Sequence, residues 1–191
     1  WNAGEVDAIE ACERSLRRLQ TDYLDLYLLH WRGNVPLEET IRAMESLQQQ
    51  GKIRHWGVSN FDHDDMLELW NEPGGKACLT DQVVYHLASR GSEYDLLPQC
   101  QQREMSIMAY CPLAQAGRLR QALFDDAHLK QIAQQKGISV AQVLLAWVIR
   151  QQGVLAIPKA SSVSHVQQNA AALSINLTDE ELSIIDRAFP A

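Results

Sequence analysis

A regular alternation of short apolar runs with amphipathic segments constrains the fold of this chain more than any other feature. The apolar runs predict strands at residues 24–29, 53–58, 78–85, 105–110 and 154–157, and the first four begin about 25–29 residues apart. Short continuous apolar runs are typical of strands that are buried on both faces. A strand–helix repeat of this length predicts parallel strands joined by right-handed crossovers.

The segments around these strands carry apolar residues at steps of three and four, which is the helical period. Asp62, Ser139 and Thr178 are each placed to cap a helix, and the Thr178 segment has the capping-box pattern. A long connection is expected from residue 111 to about residue 124. Helices are predicted at 5–20, from 37 to the stop at Gly51, after Asp62, and at 93–103, 127–136, 139–152, 163–173 and 178–188.

Two architectures fit this repeat, and the pattern leaves both open. One is a five-stranded doubly wound sheet, and the other is part of an eight-stranded barrel, which normally needs ~250 residues. A doubly wound sheet expects a glycine-rich turn after its first strand. This chain has His30-Trp31-Arg32-Gly33-Asn34 at that place, and its first predicted element is a helix. These two observations slightly favour the barrel segment.

Composition excludes several classes of protein. Lys and Arg total 17 against 24 Asp and Glu, a net charge of −7, which argues against a nucleic-acid binder. No apolar run approaches ~18 residues, so no membrane span is predicted. The absence of a CxxC pair predicts reduced thiols in the cytoplasm, with neither a disulfide framework nor a zinc site. The four cysteines are Cys12, Cys78, Cys100 and Cys111.

The opening Trp1-Asn2-Ala3-Gly4 has no Met and no signal-peptide pattern. We expect that processing or truncation removed a preceding segment, or that the sequence is the ordered part of a longer protein.

Polar side chains gather where the predicted strands end, and ligands of parallel sheets bind at these carboxyl ends. Amides, hydroxyls, one lysine and one histidine suit a polar ligand that carries phosphates, and a lysine beside serines before a helix is a reasonable anion site. The residues are His30, Trp31, Ser59, Asn60, Gln82, Tyr110, Pro158, Lys159, Ser161 and Ser162.

Structural explanations compete with each of these assignments. His30 can be a satisfied structural histidine, Ser59-Asn60 a turn and cap, and Lys159 a solvated surface residue. Tyr110 can belong to the core. A hydrolase is not favoured because the chain lacks the G-x-S-x-G elbow. The other histidines show no metal-ligand spacing.

Four segments, taken in order, resemble the aldo-keto reductases over essentially the whole chain. LQTDYLDLYLLHW (19–31) resembles the family's fourth strand and GKIRHWGVSNF (51–61) its fifth. AYCPL (109–113) resembles the seventh strand, and Ile157-Pro158-Lys159 with Ser161-Ser162 resembles the cofactor motif of the eighth. The resemblance implies a (β/α)8 TIM barrel, present here as a carboxyl-terminal partial barrel of strands four to eight. Residues 1–191 would then be a single domain truncated at its N-terminus.

The same resemblance implies an NADPH-dependent reductase that passes hydride to a carbonyl carbon and works as a monomer when complete. NADH would bind more weakly. The segment YHLASRGSEYDLLP (85–98) resembles members linked to methylglyoxal and related aldehydes. A small-molecule carbonyl substrate is therefore expected, with no nucleic-acid or membrane partner.

Roles follow from the resemblance position by position. His30 would orient the substrate carbonyl, Trp31 would wall the substrate pocket, and Tyr110 would stack on the nicotinamide. Ser59, Asn60 and Gln82 would hold its carboxamide. Leu113 and Gln115 would lie in the loop that crosses the pyrophosphate. The adenosine end would be held by Lys159, Ser161, Ser162, His165, Gln168 and Asn169.

Several departures from the family pattern are visible. The family's catalytic aspartate, tyrosine and lysine belong to its first three strands and have no counterpart here, so the chain alone is expected to be inactive. His165 stands where many members carry an arginine for the 2′-phosphate, and Ala160 and Cys111 replace frequent serines. A neutral histidine would soften the NADPH preference.

Two other interpretations of the function stay open. One is a non-catalytic nicotinamide-binding partner protein, as the potassium-channel β subunits of the same family are. The other is a small doubly wound phosphate-binding domain.

Overall fold

The structure, a computed structural model, describes residues 3–191. Part of the expectation about the chain opening falls on residues 1 and 2, which lie outside the described residues. A strand is present at each of the five predicted places, within two residues of the predicted bounds. The strands are β1 (Leu24–Leu29), β2 (Ile53–Ser59), β3 (Thr80–Val84), β4 (Ser106–Tyr110) and β5 (Val154–Ala156).

The helices alternate with these strands along the chain in the predicted order, with α5 in addition. Short 3₁₀ turns occur at Gly75–Ala77, Gly91–Glu93 and Ala172–Ser174. The α-helices are α1 (Glu5–Leu19), α2 (Leu37–Gln49), α3 (His63–Asn71), α4 (Leu96–Gln102), α5 (Arg118–Asp125), α6 (Ala127–Lys136), α7 (Val140–Val148), α8 (Val163–Ala171) and α9 (Asp179–Ala188).

The predicted caps are confirmed. Asp62, Ser139 and Thr178 each accept a backbone N–H three residues on, and each forms a capping box with the side chain at that position. These caps satisfy amide groups that have no partner inside the helix. The starts of α3, α7 and α9 are therefore fixed by local sequence.

Three boundary predictions were wrong. The connection expected from residue 111 to about residue 124 contains α5, because a run of good helix formers buries Leu123 at 1% exposure. The helix predicted at 93–103 begins only at Leu96, after a 3₁₀ turn. The helix predicted at 139–152 ends at Val148, before the turn that leads to β5.

The five strands lie in one sheet in the order β1-β2-β3-β4-β5. β1 pairs with β2 and β2 with β3, both in parallel. This sequential order is the one expected of a barrel segment, and the doubly wound alternative is wrong because its strand order would reverse direction. The protein is thus an α/β protein with a parallel sheet. The partial barrel stays a prediction.

Backbone contacts divide the chain into two compact units. The first runs to Val83 and also includes Gln102–Ile107. Its core contains Met44, Trp56 and Met66, all fully buried. Within it, a Cβ at Gly57 would lie 2.5 Å from the Thr80 carbonyl oxygen, so only glycine allows β2 to run this close to β3.

The second unit comprises Val84–Gln101 and Met108–Ala191. Its core packs Tyr85 and Leu87 against α7, where Trp147 is fully buried. Ile185 of α9 closes the same cluster. The prediction of a single domain over residues 1–191 stays a prediction. None of the helices described is long and apolar enough to cross a membrane.

Candidate functional site

In the first unit, hydrogen bonds join the residues that follow β1 and end β2 to the middle of β3. The carbonyl of Gln82, in β3, accepts the Ser59 hydroxyl at 2.7 Å and the Asn60 backbone N–H at 3.0 Å. The Asn60 amide nitrogen donates to the His30 carbonyl at 3.2 Å and to the Ser59 hydroxyl at 3.1 Å. We call these four residues the strand-end junction. The structure thus brings together four of the predicted site residues.

Asn60 follows β2 in a left-handed backbone conformation, with φ of 61°. This conformation costs a non-glycine residue ~1–2 kcal/mol, and such residues are enriched at functional sites. Ser59 is 3% exposed and its one hydroxyl proton is directed to Gln82. A hydroxyl in this arrangement can still accept a hydrogen bond from a ligand N–H group.

His30 and Trp31 are exposed just beyond β1, with their rings stacked at 6.0 Å between centroids. They line a cavity of about 260 Å³ together with Tyr27 and Met44. The cavity combines apolar walls with a ring nitrogen that can donate or accept a proton. A small polar molecule with an apolar body fits this chemistry.

Asp81, one residue before Gln82 in β3, was not predicted as a site residue. Its side chain is fully buried, and neither carboxylate oxygen has a hydrogen-bond partner. Burial raises the pKa of Asp81 from 3.8 to about 8, with the Phe61 backbone N–H offsetting part of the shift and the Asp65 and Asp62 carboxylates adding to it. The signal in the sequence was an acid inside a predicted buried strand.

In the second unit, Tyr110 ends β4 half-buried, and desolvation raises the pKa of its hydroxyl. The loop that follows turns sharply, with Cys111 at φ of 50° and Ala114 at 59°, and with the Ala114 N–H donating to the Cys111 carbonyl at 2.8 Å. Leu113 is buried in the core cluster, whereas Gln115 is exposed. The Leu113 side chain therefore anchors the loop, and its backbone and Gln115 are the parts left to meet a ligand.

The residues predicted for the adenosine end surround the start of α8. Ser162 caps this helix by accepting the His165 N–H at 3.2 Å. Lys159 is exposed, and no acidic side chain among residues 3–191 forms an ion pair with it. Ser161, His165 and Gln168 are exposed as well, and Asn169 is half-buried. An unpaired cation beside a helix N-terminus is suited to an anion.

A buried ionic cluster, formed by Tyr85, Arg90, Glu93 and Arg150, was also missed by the sequence analysis. Glu93 accepts hydrogen bonds from Arg90 at 2.8 Å, from Arg150 at 2.8 Å and from the Tyr85 hydroxyl. Burial alone would raise the pKa of Glu93, but these hydrogen bonds outweigh it and leave the pKa below its ordinary value. The partners are up to 65 residues apart, as between Arg150 and Tyr85, so local pattern gave no signal.

Arg90 extends the ionic cluster to the C-terminal helix. It donates to Asp186 of α9 at 2.8 Å and to the Phe189 carbonyl at 2.7 Å. The loop after β3 and the end of the chain are thereby fastened within the second unit. The described residues contain no group of three or more His, Cys, Asp or Glu that could hold a metal ion.

Comparison with known proteins gives a consistent result along the whole chain. The chain is 64% identical to the methylglyoxal reductase YeaE of Escherichia coli, matching 100% of this chain and 67% of that protein. It is 38% identical to the glyoxal reductase of Bacillus subtilis, over 97% of this chain and 65% of that protein. The chain therefore spans about two thirds of the length of these relatives.

Comparison with solved structures gives the same result as comparison with these relatives. An aldo/keto reductase of Klebsiella pneumoniae in complex with NADP and acetate is 63% identical and superposes with a TM-score of 0.96, over 100% of this chain and 67% of that one. An aldo-keto reductase from the same organism in complex with NADPH superposes with a TM-score of 0.97, at the same identity and coverage. The model of the Aldo/keto reductase family matches residues 4–189. On this evidence, the chain belongs to the aldo/keto reductase family.

Proposed function

We propose that this chain is the carboxyl-terminal part of an NADPH-dependent reductase of small aldehydes and ketones, of the methylglyoxal type. We call this chain, joined to the strands that complete the family's barrel, the complete reductase. The observation that carries the proposal is the strand-end junction, where the Ser59 hydroxyl and the Asn60 amide meet the backbone carbonyls of His30 and Gln82 from the two neighbouring strands. The relatives named as reductases of methylglyoxal and glyoxal support the substrate class.

The residues present fit NADPH in two ways. Lys159 is an exposed cation without an acidic partner among the described residues, beside the Ser162-capped N-terminus of α8, which suits a phosphate. The amide groups of Asn60 and Gln82, with the Ser59 hydroxyl, suit a carboxamide that both donates and accepts. NADPH, when bound, supplies the hydride that reduces the carbonyl carbon.

We assign binding roles to this chain's residues on that basis. Ser59, Asn60 and Gln82 hold the nicotinamide carboxamide, and Tyr110 stacks on its ring. Backbone at Leu113 and the side chain of Gln115 contact the pyrophosphate. Lys159, Ser161, Ser162, His165, Gln168 and Asn169 hold the adenosine end. NADH, lacking the 2′-phosphate, binds more weakly.

His30 donates a hydrogen bond to the substrate carbonyl oxygen. That oxygen gains negative charge as the carbon is reduced, so a positioned donor stabilises the transition state more than the ground state. Trp31, 45% exposed and stacked on His30, contacts the rest of a small substrate. His30 is the catalytic residue that this chain contributes.

The proton donor lies outside this chain in the proposal. The family's tyrosine, aspartate and lysine have no counterpart among these residues, and general acid catalysis is worth ~10²–10⁴. We therefore expect residues 1–191 alone to show no aldehyde-dependent NADPH oxidation, and the complete reductase, a cytoplasmic monomer, to show it.

The test is a matched pair of assays with methylglyoxal and NADPH. The complete reductase is expected to consume NADPH in proportion to aldehyde, whereas a non-catalytic nicotinamide-binding protein would bind NADPH without consuming it. Binding of NADPH with no turnover of any small aldehyde or ketone by the complete reductase would overturn the proposal. The isolated 191-residue chain serves as the negative control.

A further inference from the structure

Asp81, which precedes Gln82 of the strand-end junction, is a buried acid in an unusual environment. It is 0% exposed, and neither of its carboxylate oxygens has a hydrogen-bond partner. Buried polar groups are almost always hydrogen-bonded, since leaving one unpaired costs ~1–3 kcal/mol and more if it is charged. A buried acid without partners therefore requires an explanation.

The strand register places Asp81 one residue before the strand-end junction in β3. Asp81 lies opposite Val58 and Gln82 opposite Ser59 in the parallel pair of β2 and β3. The peptide bond between Asp81 and Gln82 thus precedes the carbonyl that accepts both the Ser59 hydroxyl and the Asn60 N–H. A shift of β3 at Asp81 moves that acceptor.

The charged groups that face Asp81 do not compensate a negative charge. Asp62 and Asp65, which form the capping box at the start of α3, both disfavour its ionisation. Arg32, the cation that pairs with Asp65, is also paired with Glu68. The Phe61 backbone N–H is the group that favours ionisation, and burial outweighs it.

We propose that Asp81 is a positioning residue for the cofactor: while its carboxyl group is neutral, β3 stays packed against β2, and its deprotonation loosens the strand-end junction and weakens NADPH binding. This inference rests on the proposed function, since it assigns the junction to the nicotinamide carboxamide. It goes further by giving the same site a proton-dependent affinity.

The physical step is a single proton exchanged with solvent. In the protonated state the buried acid carries no charge, and β3 stays packed against β2. After the proton leaves, an unpartnered carboxylate next to Asp62 and Asp65 can be solvated only if the strand end moves toward water. Burial raises the pKa of Asp81 to about 8, so the proton is lost around that pH. By linkage, bound NADPH favours the protonated form.

The experiment measures the dissociation constant of NADPH for the complete reductase from about pH 6 to about pH 10. Asp81→Asn removes the titrating group at nearly constant volume, and Asp81→Leu replaces it with a larger apolar side chain of the same branching. Asp64→Asn is the matched control, because the Asp64 side chain is 93% exposed on α3. Relative to the two Asp81 variants, the wild type and Asp64→Asn are expected to lose ~10-fold in affinity or more above about pH 8.

Effects of pH on NADPH itself are common to all four proteins and cancel in the comparison. Parallel pH profiles in the wild type and both Asp81 variants would overturn the role of Asp81 and leave the proposed function standing. Failure of all four proteins to bind NADPH at any pH would overturn the proposed function, and this inference with it.

A second readout needs no cofactor. In the free protein, the backbone amide signals of Ser59, Asn60 and Gln82 are expected to titrate together near pH 8 in the wild type and to stay constant in Asp81→Asn. A merely structural Asp81 would not produce that shared titration. Amide signals that do not move over this range would refute the coupling between Asp81 and the strand-end junction.

Discussion

The hydroxyl of Ser59 donates a hydrogen bond of 2.7 Å to the backbone carbonyl of Gln82. A side chain at the end of β2 thereby adds a second donor to a carbonyl of β3 that also accepts the Asn60 backbone N–H. The two interpretations of Ser59-Asn60, a turn that ends a strand and a ligand site, are thus compatible. The bonds that close the turn also fix where a ligand meets polar groups.

Ser59→Ala is expected to destabilise the fold by ~1 kcal/mol, because it removes a buried hydrogen bond and leaves the Gln82 carbonyl with one donor fewer. Urea unfolding measures the change. Ser164→Ala, at an exposed hydroxyl that accepts from Gln168, is the control and should have little effect. Equal stability of the two variants would contradict a structural role for Ser59.

Asp81 is expected to make folding stability depend on pH. Its pKa rises from 3.8 to about 8 on folding, so between these values the folded protein holds a proton that the unfolded chain releases. The contribution of Asp81 to stability is therefore fully present below about pH 4, falls by ~1.4 kcal/mol per pH unit as pH rises toward 8, and is flat above.

The measurement is the free energy of unfolding of the wild type minus that of Asp81→Asn, at several pH values. Taking the difference removes the titration of all other groups. A difference that stays constant from about pH 4 to about pH 8 would show that Asp81 is ionised in the folded protein.

Glu93→Ala is expected to be destabilising by ~3 kcal/mol, because it leaves the largely buried Arg150 without a carboxylate partner and leaves Arg90 with Asp186 alone. Glu38→Ala is the matched control, since Glu38 pairs with Arg42 on the surface and such pairs are worth ~0–1 kcal/mol. Thermal and urea unfolding would reveal the contrast. Similar losses in both variants would mean that burial of the ionic cluster carries no extra cost.

His30→Ala is expected to lower kcat of the complete reductase ~10²–10³-fold, the usual effect of losing a donor to a developing oxyanion. NADPH affinity should change little, because the His30 contact to the strand-end junction is made by its backbone carbonyl. His128→Ala, at an exposed histidine on α6, is the control. A kcat within a factor of two of the wild type would rule out this role.

Lys159→Ala is expected to raise KM for NADPH much more than KM for NADH, because a lysine acts as a point charge on the 2′-phosphate. Lys130→Ala, which removes an exposed lysine paired with Asp125, should affect neither. Steady-state kinetics with both cofactors separates the two. Equal increases in KM for NADPH and NADH would mean that Lys159 does not contact the 2′-phosphate.

His165→Arg tests the site proposed for the adenosine end of the cofactor by adding a charge instead of removing one. A permanently charged guanidinium next to the start of α8 should sharpen the preference for NADPH over NADH. An unchanged preference would place His165 away from the phosphate.

Local sequence determined the elements and their order. The apolar run of Leu24–Leu29 and the capping patterns at Asp62, Ser139 and Thr178 depend on residues within a few positions of one another, and each predicted what formed there. α5 was missed because its buried face rests on one residue, Leu123, which gives little periodicity to detect. The roles assigned to the site residues stay predictions.

Tertiary structure alone decided which groups are paired. In the sequence, Asp81 and Glu93 are two acids of which one lies within the third predicted strand and the other follows it. In the fold, Glu93 meets Arg90 and Arg150 and its pKa falls, whereas Asp81 meets two other acids in a dry interior and its pKa rises. The charge of a buried acid depends on which distant residues surround it and on the exclusion of water. The residues next to it in the sequence determine neither.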